Sequence, residues 1–385
     1  MNPNESNVCL LCESSALAVC PTNQPLPGVA SDDRPWQGHP SLAVCRACGH
    51  VQAVLTDHWR AEIQSVYDSY GIYSAGDGAE PLVLEGGGMP RSEALLDHLH
   101  STFGLAPEGA LLDFGCGNGA FLHTYHRQRP HWQNAGHDAN ASFQARVLAV
   151  PGVQTFASEG LPDGPFNLIT AMHVMEHLPS PVATLNALRQ RLAPGGRIVI
   201  VVPDFQRNPF DLMVVDHCSH FTEAGFSRLA AAAGCQLEHL DRDCMPRAFV
   251  AILSPISPGA LSTELESSSS VASTTSALRW LTQVREQLLS FGGGQPVAIF
   301  GTGTASAWLT AVLNGDVSCY LDEAANRIGH THLGKPVLSP KQLAEDAPLY
   351  IGLPTEVALA IRARLERDDS DPLVCIPPPF PAELG

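Results

Sequence analysis

Lysine is nearly absent from this chain of 385 residues: Lys335 and Lys341 are the only two. Acids outnumber bases, 39 against 22, and the net charge is −17. A surface of that sign repels phosphate backbones and anionic lipid, which excludes nucleic acid as an expected partner. No apolar run approaches the roughly 20 residues of a membrane-spanning helix, so no membrane role is expected. The opening Met1–Asn7 has neither the basic nor the apolar part of a secretory signal, and the expected compartment is the cytoplasm. Charged residues are scarce at 16% while hydrophobic ones reach 44%, which excludes a disordered polymer. Eleven cysteines, an odd number mostly without paired spacing, exclude a disulfide framework and predict reduced thiols, with metal binding where spacing demands it.

The length exceeds one ordinary core and predicts two or three domains. Residues 1–65 are irregular and rich in Cys, Pro and Gly. Residues 66–255 alternate apolar strand-like runs with helical patterns, which predicts an α/β fold with a parallel sheet. Residues 256–290 begin Ser/Thr-rich and read as a linker that becomes a connecting helix within 261–290. Residues 291–385 return to a strand, glycine loop, helix and strand.

The strongest motif is central. Ala110–Phe114 reads as a buried strand, followed by Gly115-Cys116-Gly117-Asn118-Gly119 and a helical pattern over 120–129. Glycines there permit positive φ and let a ligand approach the backbone, where the helix start offers free amides. Asp138 stands 19 residues after Gly119, where a ribose-holding acid is expected. Asp113, inside the first strand, tips the choice of cofactor. It would repel a dinucleotide pyrophosphate but tolerate a sulfonium bearing an amino group. The alternative is a turn that only joins strand to helix. Further on, Phe156–Glu159 reads as the end of a third strand, Phe166–Ala171 as the fourth, Val182, Leu185, Leu188 and Leu192 as a helical stripe, and Arg197–Val202 as a fifth strand.

Leu111–Gly119, Glu176-His177-Leu178 and Leu192-Ala193-Pro194-Gly195-Gly196 together resemble the class I S-adenosylmethionine-dependent methyltransferases. The resemblance implies a Rossmann-like domain in which Asp113, Gly115 and Gly117 line the methionine part. It also implies Asp138 on the ribose, Ser158 and Glu159 beside the adenine, and His173 under the cofactor. Asn167 departs from the Asp usual in the fourth strand.

Cys9-Leu10-Leu11-Cys12 and Cys45-Arg46-Ala47-Cys48 form a C-x2-C pair of pairs, the spacing of a closed structural zinc site. Four unrelated thiols are the other reading, and Cys20 is a bystander in both. With this module in front and a smaller Rossmann-like unit behind, the chain resembles the zinc-containing C-methyltransferases of nucleotide-linked deoxysugars. That resemblance includes Cys45–Gln52 and the run containing Tyr67, Tyr70 and Tyr73. It implies that these tyrosines close over cofactor and substrate. Plain packing between domains is the alternative.

Val214–Phe221 holds His217 and His220, and a histidine is a base near neutral pH. The family carries Tyr-His-Glu-His here, and its last histidine takes a proton next to a keto group. His217 matches that histidine and Asp216 the acid before it, whereas Val214 and Val215 replace the tyrosine and first histidine. The absent phenol leaves two routes open: an enolate stabilised differently, or methylation of an oxygen. His220 is a further candidate, and structural packing is the alternative for both histidines. In the C-terminal unit, Val297–Phe300 leads into Gly301-Thr302-Gly303-Thr304, with Asp322 closing the next strand. Binding of NAD there, making an oxidoreductase, is the runner-up. The resemblance implies a unit that lost cofactor binding and now helps hold a small-molecule substrate such as a nucleotide-sugar. A cofactor-binding pseudoenzyme is the remaining alternative.

Overall fold

Leu111 and Leu112 are wholly inaccessible to solvent, as are Ile198–Val202. Unbroken apolar runs of this kind suit strands covered on both faces, as in a parallel sheet between helices. The computed structural model describes residues 8–21, 24–36, 38–68, 82–83, 89–256, 269–365 and 373–380. It contains three main sheets.

The N-terminal segment gives β1 (Leu17–Val19), β2 (Gly28–Val29), β3 (Pro35–Trp36), β4 (Leu42–Cys45), β5 (Val51–Ala53) and helix α1 (Asp57–Asp68). Strands β2 and β3 form a hairpin. Strands β1, β4 and β5 form an antiparallel sheet whose fourth strand, Ser219–His220, arrives from the far end of the next segment. The i, i+3 spacing of His217 and His220 is compatible with one face of a turn. Pairing with Gln52 and Val51 draws Ser219 and His220 into a strand instead.

A short pair, β6 (Leu82–Val83) and β7 (Met89–Pro90), precedes α2 (Arg91–Phe103), β8 (Gly109–Phe114), α3 (Ala120–Gln128), β9 (Trp132–His137), α4 (Gln144–Leu148) and β10 (Val153–Ala157). There follow β11 (Phe166–Met172), α5 (Pro181–Arg189), β12 (Leu192–Pro203), β13 (Ser219–His220), α6 (Glu223–Ala232), β14 (Cys235–Asp241) and β15 (Ala248–Pro255). The seven-stranded sheet runs β10-β9-β8-β11-β12-β15-β14, with β15 antiparallel to both neighbours. Its order reverses between β8 and β11, which opens a crevice at their carboxyl ends. Pro181 starts α5, and Leu185 and Leu188 are its buried stripe. Leu192 does not continue it, because pairing with Phe166 takes Leu192 into β12.

The last segment gives α7 (Ser269–Ser290), β16 (Val297–Phe300), α8 (Thr304–Val312), β17 (Val317–Leu321), β18 (Thr331–His332), β19 (Lys335–Leu338), β20 (Leu349–Tyr350), α9 (Thr355–Arg364) and β21 (Val374–Cys375). The sheet order is β18-β19-β17-β16-β20-β21, parallel except for β18. Among the described residues, no helix is long and apolar enough to cross a membrane.

One core crosses these segments. Val29 of the hairpin, Phe210 and Met213 before β13, Trp280 of α7 and Trp308 of α8 belong to a single buried cluster. Phe210 meets each tryptophan edge-on with ring centroids 5.5 Å apart. The Trp308 indole N–H donates to the Pro27 carbonyl at 3.0 Å, fixing the hairpin to α8. Trp308→Ala is therefore expected to cost about 3–5 kcal/mol, read as a lowered midpoint in chemical denaturation.

Candidate active site and four-cysteine cluster

The glycine loop lies where β8 ends. The amides of Gly115 and Cys116 both donate to the His137 carbonyl, at 2.7 and 2.9 Å, and the Gly117 amide donates to Asp138 Oδ2 at 2.8 Å. Gly115 has φ +78°, and a Cβ there would lie 2.1 Å from Val174 Cγ2. This position therefore needs glycine on two counts, handedness and space. Asp113 is buried and accepts the Thr170 hydroxyl at 2.7 Å from the neighbouring β11. Asp138 follows β9. Ser158 and Glu159 follow β10, the first half-buried and the second exposed. His173 follows β11 with φ +54°, and its Nδ1 lies 3.3 Å from Glu176 Oε1. The structure thus gathers the predicted cofactor residues at one end of the seven-stranded sheet.

A histidine–carboxylate cluster adjoins the loop. Its turn Met175–His177 follows Val174, the residue in contact with Gly115. The Cys218 amide donates to the Glu176 carbonyl at 2.6 Å, and its thiol to the His177 carbonyl at 3.1 Å, so 216–218 is laced to that turn. His217 and His177 stand with ring centroids 4.6 Å apart and planes nearly perpendicular.

The partner that orients His217 was missed in the sequence. Asp211 accepts from His217 Nδ1 at 2.8 Å with one oxygen and from His220 Nδ1 at 2.7 Å with the other. Burial alone would raise the Asp211 pKa, but the two imidazoles hold it well below the carboxylate range. An acid inside the apolar run Pro209–Met213 was the available signal, since buried acids are rare unless paired. Asp216, the acid adjacent to His217, turns elsewhere. Its carboxylate accepts the Ser31 amide at 2.8 Å and the Ser31 hydroxyl at 2.5 Å, and lies 3.4 Å from His177 Nδ1. Val214 is buried and brings no polar atom. The Tyr67 hydroxyl lies 3.3 Å from His177 Nδ1, while Tyr70 and Tyr73 lie outside the described residues.

The four cysteines meet. Sγ–Sγ distances are 3.5 Å for Cys9–Cys48 and 3.6 Å for Cys12–Cys45, and all four sulfurs lie within 4.8 Å of one another. A tetrahedral ion with bonds of about 2.3 Å separates its sulfurs by about 3.8 Å, so the donor set fits such an ion with little movement. Gly49, at φ +74°, turns the second knuckle, and its amide donates to the Cys45 carbonyl at 2.8 Å. Cys20 is not part of this group.

In the C-terminal unit, the Asp322 carboxylate accepts the Thr302 hydroxyl at 2.8 Å. Asp33, from the turn of the β2–β3 hairpin, accepts the Thr304 hydroxyl at 2.8 Å at the start of α8.

A family model described as a methyltransferase domain matches residues 90–240. These residues form a class I S-adenosylmethionine-dependent methyltransferase domain. The ubiquinone biosynthesis O-methyltransferase of Aeromonas salmonicida (strain A449) is 28% identical over 148 residues, covering 32% of this chain and 61% of that protein. Among solved structures, CalO1, a methyltransferase of calicheamicin biosynthesis in its SAH-bound form, matches with TM-score 0.37 and 19% identity, over 51% of this chain and 58% of its own. The mitomycin 7-O-methyltransferase MmcR matches with TM-score 0.38 and 13% identity, over 43% and 54%. The chain therefore spans less than two thirds of each of these relatives.

Gly115→Ala tests the loop. Left-handed backbone costs an Ala about 1–2 kcal/mol, to which the contact with Val174 is added. Affinity for S-adenosylhomocysteine in calorimetry is expected to fall at least about tenfold.

Proposed function

We propose that the protein transfers a methyl group from S-adenosylmethionine to a small molecule, a sugar or nucleotide-sugar, at a carbon next to a carbonyl. The observation that carries this reading is the buried Asp211–His217 hydrogen bond of 2.8 Å beside the glycine loop. A carboxylate on Nδ1 fixes the imidazole as the Nδ1–H tautomer and leaves Nε2 as the base. His217 is thus the proton acceptor, and His220 shares its carboxylate. Asp113, Gly115, Gly117, Asp138, Ser158, Glu159 and His173 hold the cofactor, which supplies an already activated methyl group when bound. Tyr67 takes part in binding the substrate, the role that the family resemblance implies for it and for Tyr70 and Tyr73. The chain's own work is to align the acceptor, exclude water and take one proton.

Cys9, Cys12, Cys45 and Cys48 hold a structural zinc ion, a closed site without an open position for chemistry. The C-terminal unit helps hold the substrate. Against NAD as its ligand, the Asp33 carboxylate already takes the start of α8, where a pyrophosphate would need to sit. The enzyme works in the cytoplasm, without nucleic acid.

O-methylation is the second reading. It is favoured by the absence of a hydroxyl at Val214 and by the O-methyltransferase relative.

Methyl-labelled cofactor offered with thymidine-diphosphate-linked ketodeoxyhexoses is expected to give a carbon-labelled product by NMR. His217→Ala should lower turnover by about 100-fold or more while cofactor affinity holds. Oxygen-labelled product would decide for the second reading, and stabilisation by NAD alone would sink both. Metal analysis should find about one zinc per chain, with a clear loss in Cys45→Ser. Full retention of zinc would contradict the four-thiolate site.

A further inference from the structure

Three buried carboxylates pair with four imidazoles, and they are unevenly shared; Glu176 also lies 3.3 Å from His173 Nδ1. Asp211 serves two histidines, His217 and His220. His177 has two carboxylates around it. Asp216 lies 3.4 Å away, with its backbone carbonyl 3.1 Å from Nδ1, and Glu176 is the adjacent residue in the chain. Glu176 and Asp216 are almost wholly inaccessible, whereas the His177 side chain keeps 17% of its surface open. His177 thus has Asp216 and Glu176 beside it and is partly open to solvent, whereas His217 is buried and held by Asp211.

We infer that His177, as an imidazolium, donates the hydrogen bond that stabilises the oxyanion formed when His217 removes the proton. This rests on the carbon-methylation reading above and supplies the group that Val214 lacks. With Nδ1–H donated to the Asp216 carbonyl, Nε2–H is the remaining donor. Acid and base must each come within about 3 Å of their atoms on one carbonyl-bearing fragment. Rings 4.6 Å apart and nearly perpendicular suit that requirement. His217 Nε2 takes the proton from the carbon next to the carbonyl. The C–H pair moves into the carbon–carbon bond, and the carbonyl π pair moves onto the oxygen facing His177. That pair then returns, and the carbon forms its bond to the methyl group while the methyl–sulfur pair stays on sulfur. The oxygen is a carbonyl again, so His177 gives up no proton.

The charges around His177 agree. Burial alone would lower its pKa, but hydrogen bonding to Asp216 and the charges of Asp216 and Glu176 push it up to about 9. The other groups facing it are His217 opposite and Tyr67 from α1, while His173 pairs with Glu176. Cys218, also in contact, is held as a neutral thiol by burial, its pKa pushed up to about 12. A group with a raised pKa is charged below that value, so the contribution is present at neutral pH and is lost as pH rises through about 9.

The test needs no substrate at its first step. Full-length protein with isotope-labelled histidine and bound S-adenosylhomocysteine is titrated by NMR, with His177 assigned by its loss in His177→Gln. The expected result is an imidazolium at pH 7.5 that titrates near 9, and Asp216→Asn should lower that midpoint by at least one pH unit. A neutral His177 at pH 7.5 overturns the inference, whatever the acceptor is. With a ketodeoxyhexose acceptor, His177→Gln should lower kcat more than it changes KM and remove the alkaline limb of the rate profile. An unchanged alkaline limb overturns the inference. If His217→Ala loses turnover while His177→Gln keeps it, the inference falls and the base assignment stands.

Discussion

A buried carboxylate shared by two imidazoles governs how this molecule is put together. Taking Asp211 out of water costs several kcal/mol, a cost that only good partners offset. Both its oxygens find one, at 2.8 and 2.7 Å, and the two histidines come from one short stretch of chain. His220 belongs to β13, so satisfying Asp211 requires β13 to lie where the four-cysteine sheet can pair with it. That position brings Ser219 within 3.1 Å of His50, which follows the second cysteine knuckle. His50 is kept neutral by burial, its pKa pushed down to about 3, and it adds no charge beside His220. Gln52, on the neighbouring strand, accepts the Leu10 amide at 2.9 Å and so ties the first knuckle to the same edge. The cysteine cluster and the segment carrying His217 and His220 are therefore built on one small sheet, although they are far apart in sequence.

What could be read in the sequence was what is local in the chain. The glycine loop declares itself because positive φ and close approach select glycine at fixed offsets, and Gly115 shows both demands. The cysteine pairs declare themselves because a tight turn brings residues three apart together, and the four sulfurs do meet. Leu192 misled because its helical spacing was genuine, but the bend at Gly195, φ +75°, and pairing with Phe166 claimed it for a strand. The site polar network was mostly illegible. Ser31 to Asp216 spans 185 positions and His50 to Ser219 spans 169, and no periodicity encodes such pairs. Asp211 is closer, six residues from His217, but it stands in an apolar run, while the family match falls on Asp216, the adjacent acid. Adjacent side chains in an irregular segment diverge, and here Asp216 turns to the hairpin while Asp211 turns to His217.

The hairpin explains why a second nucleotide-like unit belongs to this chain. Its tight turn runs from Ala30 to Arg34, closed by the Ala30 amide on the Arg34 carbonyl at 2.9 Å. Ser31 reaches Asp216, and two residues later Asp33 reaches Thr304 at the start of α8. A helix start favours an anion, and here the anion is the chain's own carboxylate. Burial pushes the Asp33 pKa up to about 6, and the Thr304 hydroxyl acts against that rise. The carboxylate that accepts the Thr304 hydroxyl thus anchors a turn whose other side holds Asp216. Since Asp216 is one of the two acids around His177, the charge state of the cluster depends on a segment clamped from the far domain. The start of α8 thus serves this hairpin through Thr304, whose hydroxyl donates to Asp33.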